Sequence, residues 1–268
     1  MKIVHIIFSL NTGGAETMLV DIINEQVKKE KVAIIIINDS INNANLNKIN
    51  KDIDIVFIGR KEGSKNPIPI IKLNWFLLKL KPDVIHCHNH KAIQLIINRK
   101  NVVLTLHDVR IPTYNFKYYK KLFAISEAVK NDIEKRANIC HIVVYNGIKI
   151  DDIKQKWNYE FDTFKIVQVS RLEHEKKGQH ILLQALKILI EEKSIKNITV
   201  DFIGEGNSLE YLQNIVKKNG LEKHVNFIGL RDREYIYNHL RDYNLLVQPS
   251  LFEGFGLTVA EILMVQWK

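Results

Sequence analysis

Residues 149–163 read KIDDIKQKWNYEFDT, a polar, mixed stretch that interrupts an otherwise regular alternation. On its N-terminal side, short runs rich in β-branched residues alternate with longer patterns of helical period. Strands are predicted at 2–8 (KIVHIIF), 32–37 (VAIIII), 54–58 (DIVFI), 83–87 (DVIHC), 102–106 (VVLTL), 122–125 (LFAI) and 141–145 (HIVVY). Helical patterns fit at 15–29, 68–80 and 126–137. On its C-terminal side the rhythm restarts, with strands at 164–170, 198–203, 225–228 and 244–248. Helices fit at 178–193, 208–219, 232–241 and from about 256. Strands this apolar are buried on both faces, which points to parallel sheets covered by helices. The stretch is therefore read as a linker between two α/β, doubly wound, Rossmann-like domains facing a cleft. The boundary falls near 160, giving domains of 1–160 and 161–268.

No run reaches the roughly 18 apolar residues of a membrane span. The N-terminus lacks a small-residue cleavage site and reads as a first strand, not a signal peptide. Two cysteines, Cys87 and Cys140, make no disulfide framework and fit a reducing, cytosolic compartment. The net charge of +9 is unevenly placed. Residues 60–136 hold 16 Lys/Arg against 6 Asp/Glu, while the rest of the chain holds 23 against 24. The basic segment also carries Trp75, Phe76, Tyr114, Phe116, Tyr118, Tyr119 and Phe123. Basic plus aromatic character suits an anionic membrane surface. A solvated, lysine-rich face accounts for it equally well. Nucleic acid is disfavoured, because no nucleic-acid module pattern accompanies the charge.

Three loops carry the chemistry. In PSLFEGFGLTVAE (249–261) a strand gives way to a Gly-rich loop and then a helix. Glycines let the backbone approach a ligand, and the free N–H groups of a helix start can hold phosphate. Glu253 and Glu261 would accept hydrogen bonds from sugar hydroxyls. Alone, the same loop also reads as a tight turn with a capping acid. In SRLEHEKKG (170–178), Arg171 and one of the two lysines stand on the same rim and could neutralise a diphosphate. Alone, they read as surface cations. In NTGGAE (11–16), Gly13 and Gly14 precede a helix; the segment is not G-x-G-x-x-G, and a plain tight turn serves equally. His107 follows a strand at the rim of the first domain, where it could contact a sugar or serve as a cap. In HCHNH, alternation would put His86, His88 and His90 on one side, but no further ligand pair completes a metal set.

In their order and spacing, GGAE at 13–16, ISEAVK at 125–130, YNGI at 145–148, SRLEHEKKGQ and EGFGLTVAE resemble the retaining glycosyltransferases of family 4, which have the GT-B fold. The resemblance covers the whole chain. It implies that Arg171 and Lys177 hold the donor diphosphate and stabilise it as it leaves. Glu253 would bind hydroxyls of the transferred sugar and Glu261 the ribose. The amides of Gly256, Leu257 and Thr258 would cap the phosphates. Gly13 and Gly14 would lie by the acceptor and the donor phosphates, and His107 would face the reacting sugar. No metal or other cofactor is implied. The donor would be a nucleotide-sugar, with UDP favoured, and the acceptor lipid-linked or a polysaccharide. The protein would sit at the inner face of the cytoplasmic membrane.

Family members continue for about a hundred residues beyond this point, and the second domain has four predicted strands where five or six are usual. The chain is therefore expected to be C-terminally truncated, weakly stable and poorly active. An inactive remnant that binds only nucleotide or membrane, and a nucleotide-sugar epimerase of the same layout, are the alternative expectations.

Overall fold

The sequences KIVHII and KVAIIIIN form β1 (Lys2–Ile7) and β2 (Lys31–Asn38), paired in parallel at the middle of a sheet. Nearly every residue of both is buried, because each face of the sheet is covered. The computed structural model describes residues 1–137, 142–148 and 160–266. Most of the expected linker, Cys140 and the start of the strand at 141–145 lie outside the described residues. Two compact units result, Met1–Gly147 and Ile148–Lys268.

The first unit adds β3 (Asp54–Arg60), β4 (Val84–Cys87), β5 (Val102–Leu106), β6 (Lys121–Ala124) and β7 (Ile142–Val143). Its helices are α1 (Gly14–Gln26), α2 (Asn43–Asn47), α3 (Ile68–Leu80) and α4 (Glu127–Glu134). All pairings are parallel, in the order β3-β2-β1-β4-β5-β6-β7. The order reverses between β1 and β4, and such reversals open a crevice at the carboxyl ends of the strands. Helix α1 stops three residues short of its expected end, where Lys28 and Lys29 are exposed and offer nothing to bury.

The second unit contains β8 (Phe164–Val169), α5 (His174–Lys177), α6 (Gln179–Glu191), β9 (Ile198–Ile203) and α7 (Leu209–Lys218). It continues with β10 (Val225–Gly229), α8 (Arg233–His239), β11 (Leu245–Leu246) and α9 (Leu257–Gln266). Its four parallel strands run β10-β9-β8-β11, with the reversal between β8 and β11. Ile166, Leu183, Leu186, Val200, Phe202 and Leu212 form its main core. The helix expected over 178–193 is α6, and the loop expected before it holds a further short helix, α5, which Gly178 ends with φ +68. A Cβ at Gly178 would stand 2.0 Å from the Pro249 carbonyl oxygen. Only glycine allows the loop after β8 and the loop after β11 to come so close.

Candidate functional site

The reversal in the second sheet brings together the loops that follow β8 and β11. The Leu251 amide donates to the Lys176 carbonyl (2.9 Å), which fixes their register. Two buried glutamines secure the first loop from below. Gln168 donates to the Lys177 carbonyl (2.8 Å), and Gln179 donates to the Arg171 carbonyl (2.8 Å) and to Ser170 Oγ (3.1 Å). Both side chains are sealed from solvent, so these bonds form without competition from water.

On this frame Lys177 Nζ donates to Glu253 Oε2 at 2.6 Å, and Ser250 Oγ donates to the same oxygen at 3.2 Å. Residues 76 apart in sequence thus form one partly buried charged pair. An ammonium has three donors, so Lys177 can keep Glu253 and still reach a second anion. Gly256 takes φ +78 and turns the chain into α9. The first-turn amides of α9, including Leu257 and Thr258, have no intrahelical acceptor and carry the positive end of the helix dipole. Thr258 Oγ1 lies 3.5 Å from the Val169 carbonyl, the last residue of β8. Arg171 is exposed in the loop after β8.

Glu261, one turn into α9, is buried. Its Oε1 accepts from the Tyr237 hydroxyl at 2.7 Å, and Arg233 Nη2 stands 3.6 Å away. Arg233 Nε in turn donates to the Tyr237 oxygen at 2.5 Å. Burial, with the Glu261 charge beside it, pushes the Tyr237 phenol up, so it stays protonated and donates. Arg233 and Tyr237 were not singled out from sequence. Their i, i+4 spacing in REYIYNH, which puts both on one face of α8, is the signal that could have found them.

In the first unit, Gly13 is the N-cap of α1 and Gly14 its first residue. Thr17 Oγ1 donates to the Gly13 carbonyl (3.0 Å), and Ser40 Oγ to Asn11 Oδ1 (3.0 Å). His107 follows β5, and its Nε2 lies 3.0 Å from His88 Nδ1. The histidine alternation ends earlier than expected. Strand β4 stops at Cys87, so His90 leaves the row and meets Tyr114 edge-on, with ring centres 5.9 Å apart. His5 of β1 takes its place, because His5 is in register with His86. His5, His86 and His88 each bring a ring nitrogen within 4.8 Å of the others, with no carboxylate in the group.

Of the aromatics in the basic segment, Phe116 and Tyr119 are core residues and not surface ones. The Tyr119 hydroxyl accepts from the Ile93 amide (3.2 Å) and bonds the His90 carbonyl (3.1 Å). Trp75, Tyr114 and Tyr118 are exposed.

Two family models match the chain: Glycosyltransferase Family 4 over residues 12–152, and Glycosyl transferases group 1 over residues 149–266. The chain is 28% identical to the uncharacterized glycosyltransferase MJ1178 of Methanocaldococcus jannaschii over 67% of its own length and 52% of that protein's. It thus spans about half the length of that relative. It is 26% identical to the capsular polysaccharide biosynthesis glycosyltransferase CapH of Staphylococcus aureus, over 95% of this chain and 76% of CapH. Among solved structures it is similar to HepE of Anabaena in complex with UDP and glucose. The TM-score is 0.77 at 22% identity, over 99% of this chain and 78% of HepE, which is a likeness of fold.

Proposed function

The chain belongs to glycosyltransferase family 4 and has the GT-B fold, and from that membership we propose that it moves a sugar from a nucleotide-diphosphate donor, a UDP-sugar foremost, to a lipid-linked or polysaccharide acceptor in cell-surface glycan synthesis. The observation that carries the reading is the 2.6 Å contact of Lys177 with Glu253 at the reversal of the second sheet. Beside it stand the glycine turn and the start of α9. A diphosphate at the helix start would meet the first-turn amides, Lys177 and Arg171, while the Glu253 carboxylate accepts from hydroxyls of the sugar next to it. Glu261, braced by Tyr237 and Arg233, would take the ribose. Two cations and a helix start supply the charge that a metal ion would otherwise bring, so no metal is required.

We read the reaction as retaining. The bond from the anomeric carbon to the diphosphate oxygen breaks and a bond to the acceptor oxygen forms on the same face. The acceptor's hydroxyl proton passes to the departing phosphate oxygen. The protein then mainly positions the partners and stabilises the leaving charge. Gly13, Gly14 and His107 of the first unit would serve the acceptor and the reacting sugar. The test is the anomeric proton coupling of the product by NMR, with EDTA present. Retention with unchanged rate is expected; an inverted product or a loss of activity in EDTA would end this reading.

The acceptor would be met at an anionic membrane. Helix α3 leaves Ile68, Ile71, Trp75 and Leu78 exposed on one face, spaced by three or four residues. Ile97, the most exposed large apolar residue among the described residues, stands beside this helix, because its amide donates to Asn74 Oδ1 at 2.9 Å. Lys79 lies over the Trp75 ring at 5.4 Å, and Arg99 and Lys100 are exposed next to Ile97. An apolar stripe rimmed by cations suits a headgroup boundary. No helix among the described residues is long and apolar enough to cross a membrane. Leu78→Glu is expected to lower cosedimentation with phosphatidylglycerol vesicles at least tenfold without changing the urea midpoint. Equal cosedimentation of the variant would remove the membrane from the account.

A further inference from the structure

Strands β1, β4 and β5 lie side by side, and the histidines on them and just past their ends, His5, His86, His88 and His107, meet in one cluster. His5 Nε2 is 2.7 Å from Gln26 Oε1, in the last residue of α1. His5 Nδ1 is 3.0 Å from His88 Nε2, and His88 Nδ1 is 3.0 Å from His107 Nε2. His5 is wholly buried and His88 nearly so. His86 stacks beside His88, with ring centres 4.6 Å apart, and its own Nε2 is 2.7 Å from Thr105 Oγ1. Burial pushes His5 and His107 down to about 4 and holds His86 and His88 well below the ordinary value. At neutral pH all four rings are therefore neutral, and each carries one ring proton.

A neutral imidazole has one donor and one acceptor nitrogen. In a row where both nitrogens of His5 and His88 are engaged, one choice at the end of the row sets every ring in it. The Gln26 carbonyl oxygen can only accept, so His5 carries its proton on Nε2 and accepts at Nδ1. His88 then donates from Nε2 and accepts at Nδ1. His107 must donate from Nε2, which leaves Nδ1 a bare acceptor. Among the described residues, His107 Nδ1 makes no hydrogen bond.

We propose that Gln26, His5 and His88 form a directional hydrogen-bond chain that fixes the tautomer of His107 and presents its Nδ1 as an acceptor for a substrate hydroxyl. Gln26, His5 and His88 are positioning residues in this account. The part that concerns a substrate rests on the functional reading above; the tautomer does not. Of the three histidines close enough to share a metal ion, His5 and His88 are engaged in the chain and His86 bonds Thr105, so a metal would have to displace bonds already made.

Long-range 1H–15N correlation NMR on the full chain, labelled at histidine, reads the tautomers at pH 7.5. The proton is expected on Nε2 of His5, His88 and His107, and EDTA should move none of these signals. A proton on His107 Nδ1, or a His5 signal that shifts on adding EDTA, overturns the chain. Gln26→Met removes the terminal acceptor at similar size. It is expected to give His107 as a mixture of both tautomers and to lower kcat about fivefold at unchanged donor KM. Gln26→Glu, which keeps an acceptor oxygen, should restore the single tautomer. A His107 tautomer unmoved by Gln26→Met also overturns the proposal. If the tautomer mixes and kcat does not change, the chain stands and the role of His107 at the reacting sugar falls.

Discussion

Lys177→Ala is expected to lower kcat/KM for the donor by about a thousandfold, in line with loss of one preorganised group at a developing charge. Lys177 lies in α5 at the end of a loop whose backbone is held by Gln168 and Gln179, so its ammonium is placed before any donor arrives. Its contact with Glu253 is short and partly buried. Removing it takes away the leaving-group cation and also leaves the Glu253 carboxylate with Ser250 as its remaining side-chain donor among the described residues. The larger part of the loss should appear in kcat, because charge on the diphosphate grows as the glycosidic bond breaks. Steady-state kinetics with Lys177→Ala and Lys177→Arg separate the two effects. Arginine keeps the charge but not the compact, three-donor geometry, and should recover only part of the rate. A Lys177→Ala enzyme within threefold of wild type would remove this residue from the site.

The second large effect is on stability. Acidification from pH 7.5 to 4 is expected to destabilise the first unit strongly. Burial lowers His5 and His107 from 6.5 to about 4, with His86 and His88 shifted the same way. The unfolded chain therefore takes up protons near pH 6.5 that the folded chain refuses. Stability is fully present above that value and is lost as the pH falls from 6.5 towards 4. The loss over this window is about 3 kcal/mol for His5 and for His107 taken singly. Against a total of roughly 5–15 kcal/mol for an ordinary domain, this is a large share. Urea midpoints measured by circular dichroism across the window give the answer. A midpoint that stays level or rises on acidification contradicts the burial of neutral histidines.

The fold was legible because its signals are local and repeated. Runs such as VAIIII and VVLTL have one way to be buried on both faces, and the helical patterns between them force parallel connections. The convergence of Lys177 and Glu253 was legible in part, since both loops follow strands and ligand loops gather at one sheet edge. Other features depend on register, which no local pattern encodes. His5 joins His86 because β1 and β4 align residue for residue. His90 leaves the row because β4 ends at Cys87. Phe116 and Tyr119 looked like surface aromatics in a basic run, yet they fill the core of the first unit. The i, i+4 spacing of Arg233 and Tyr237 marks a shared face of α8, but that this face braces Glu261 depends on how α8 packs against α9.

The central claim is a nucleoside-diphosphate site on the second unit, built on Lys177 and the start of α9. Isothermal titration of UDP into the full chain in EDTA, with Lys177→Ala alongside, tests it most directly. One site per chain, weakened at least tenfold by Lys177→Ala, is the predicted result. Absence of binding by the wild type, or equal affinity in the variant, would contradict it.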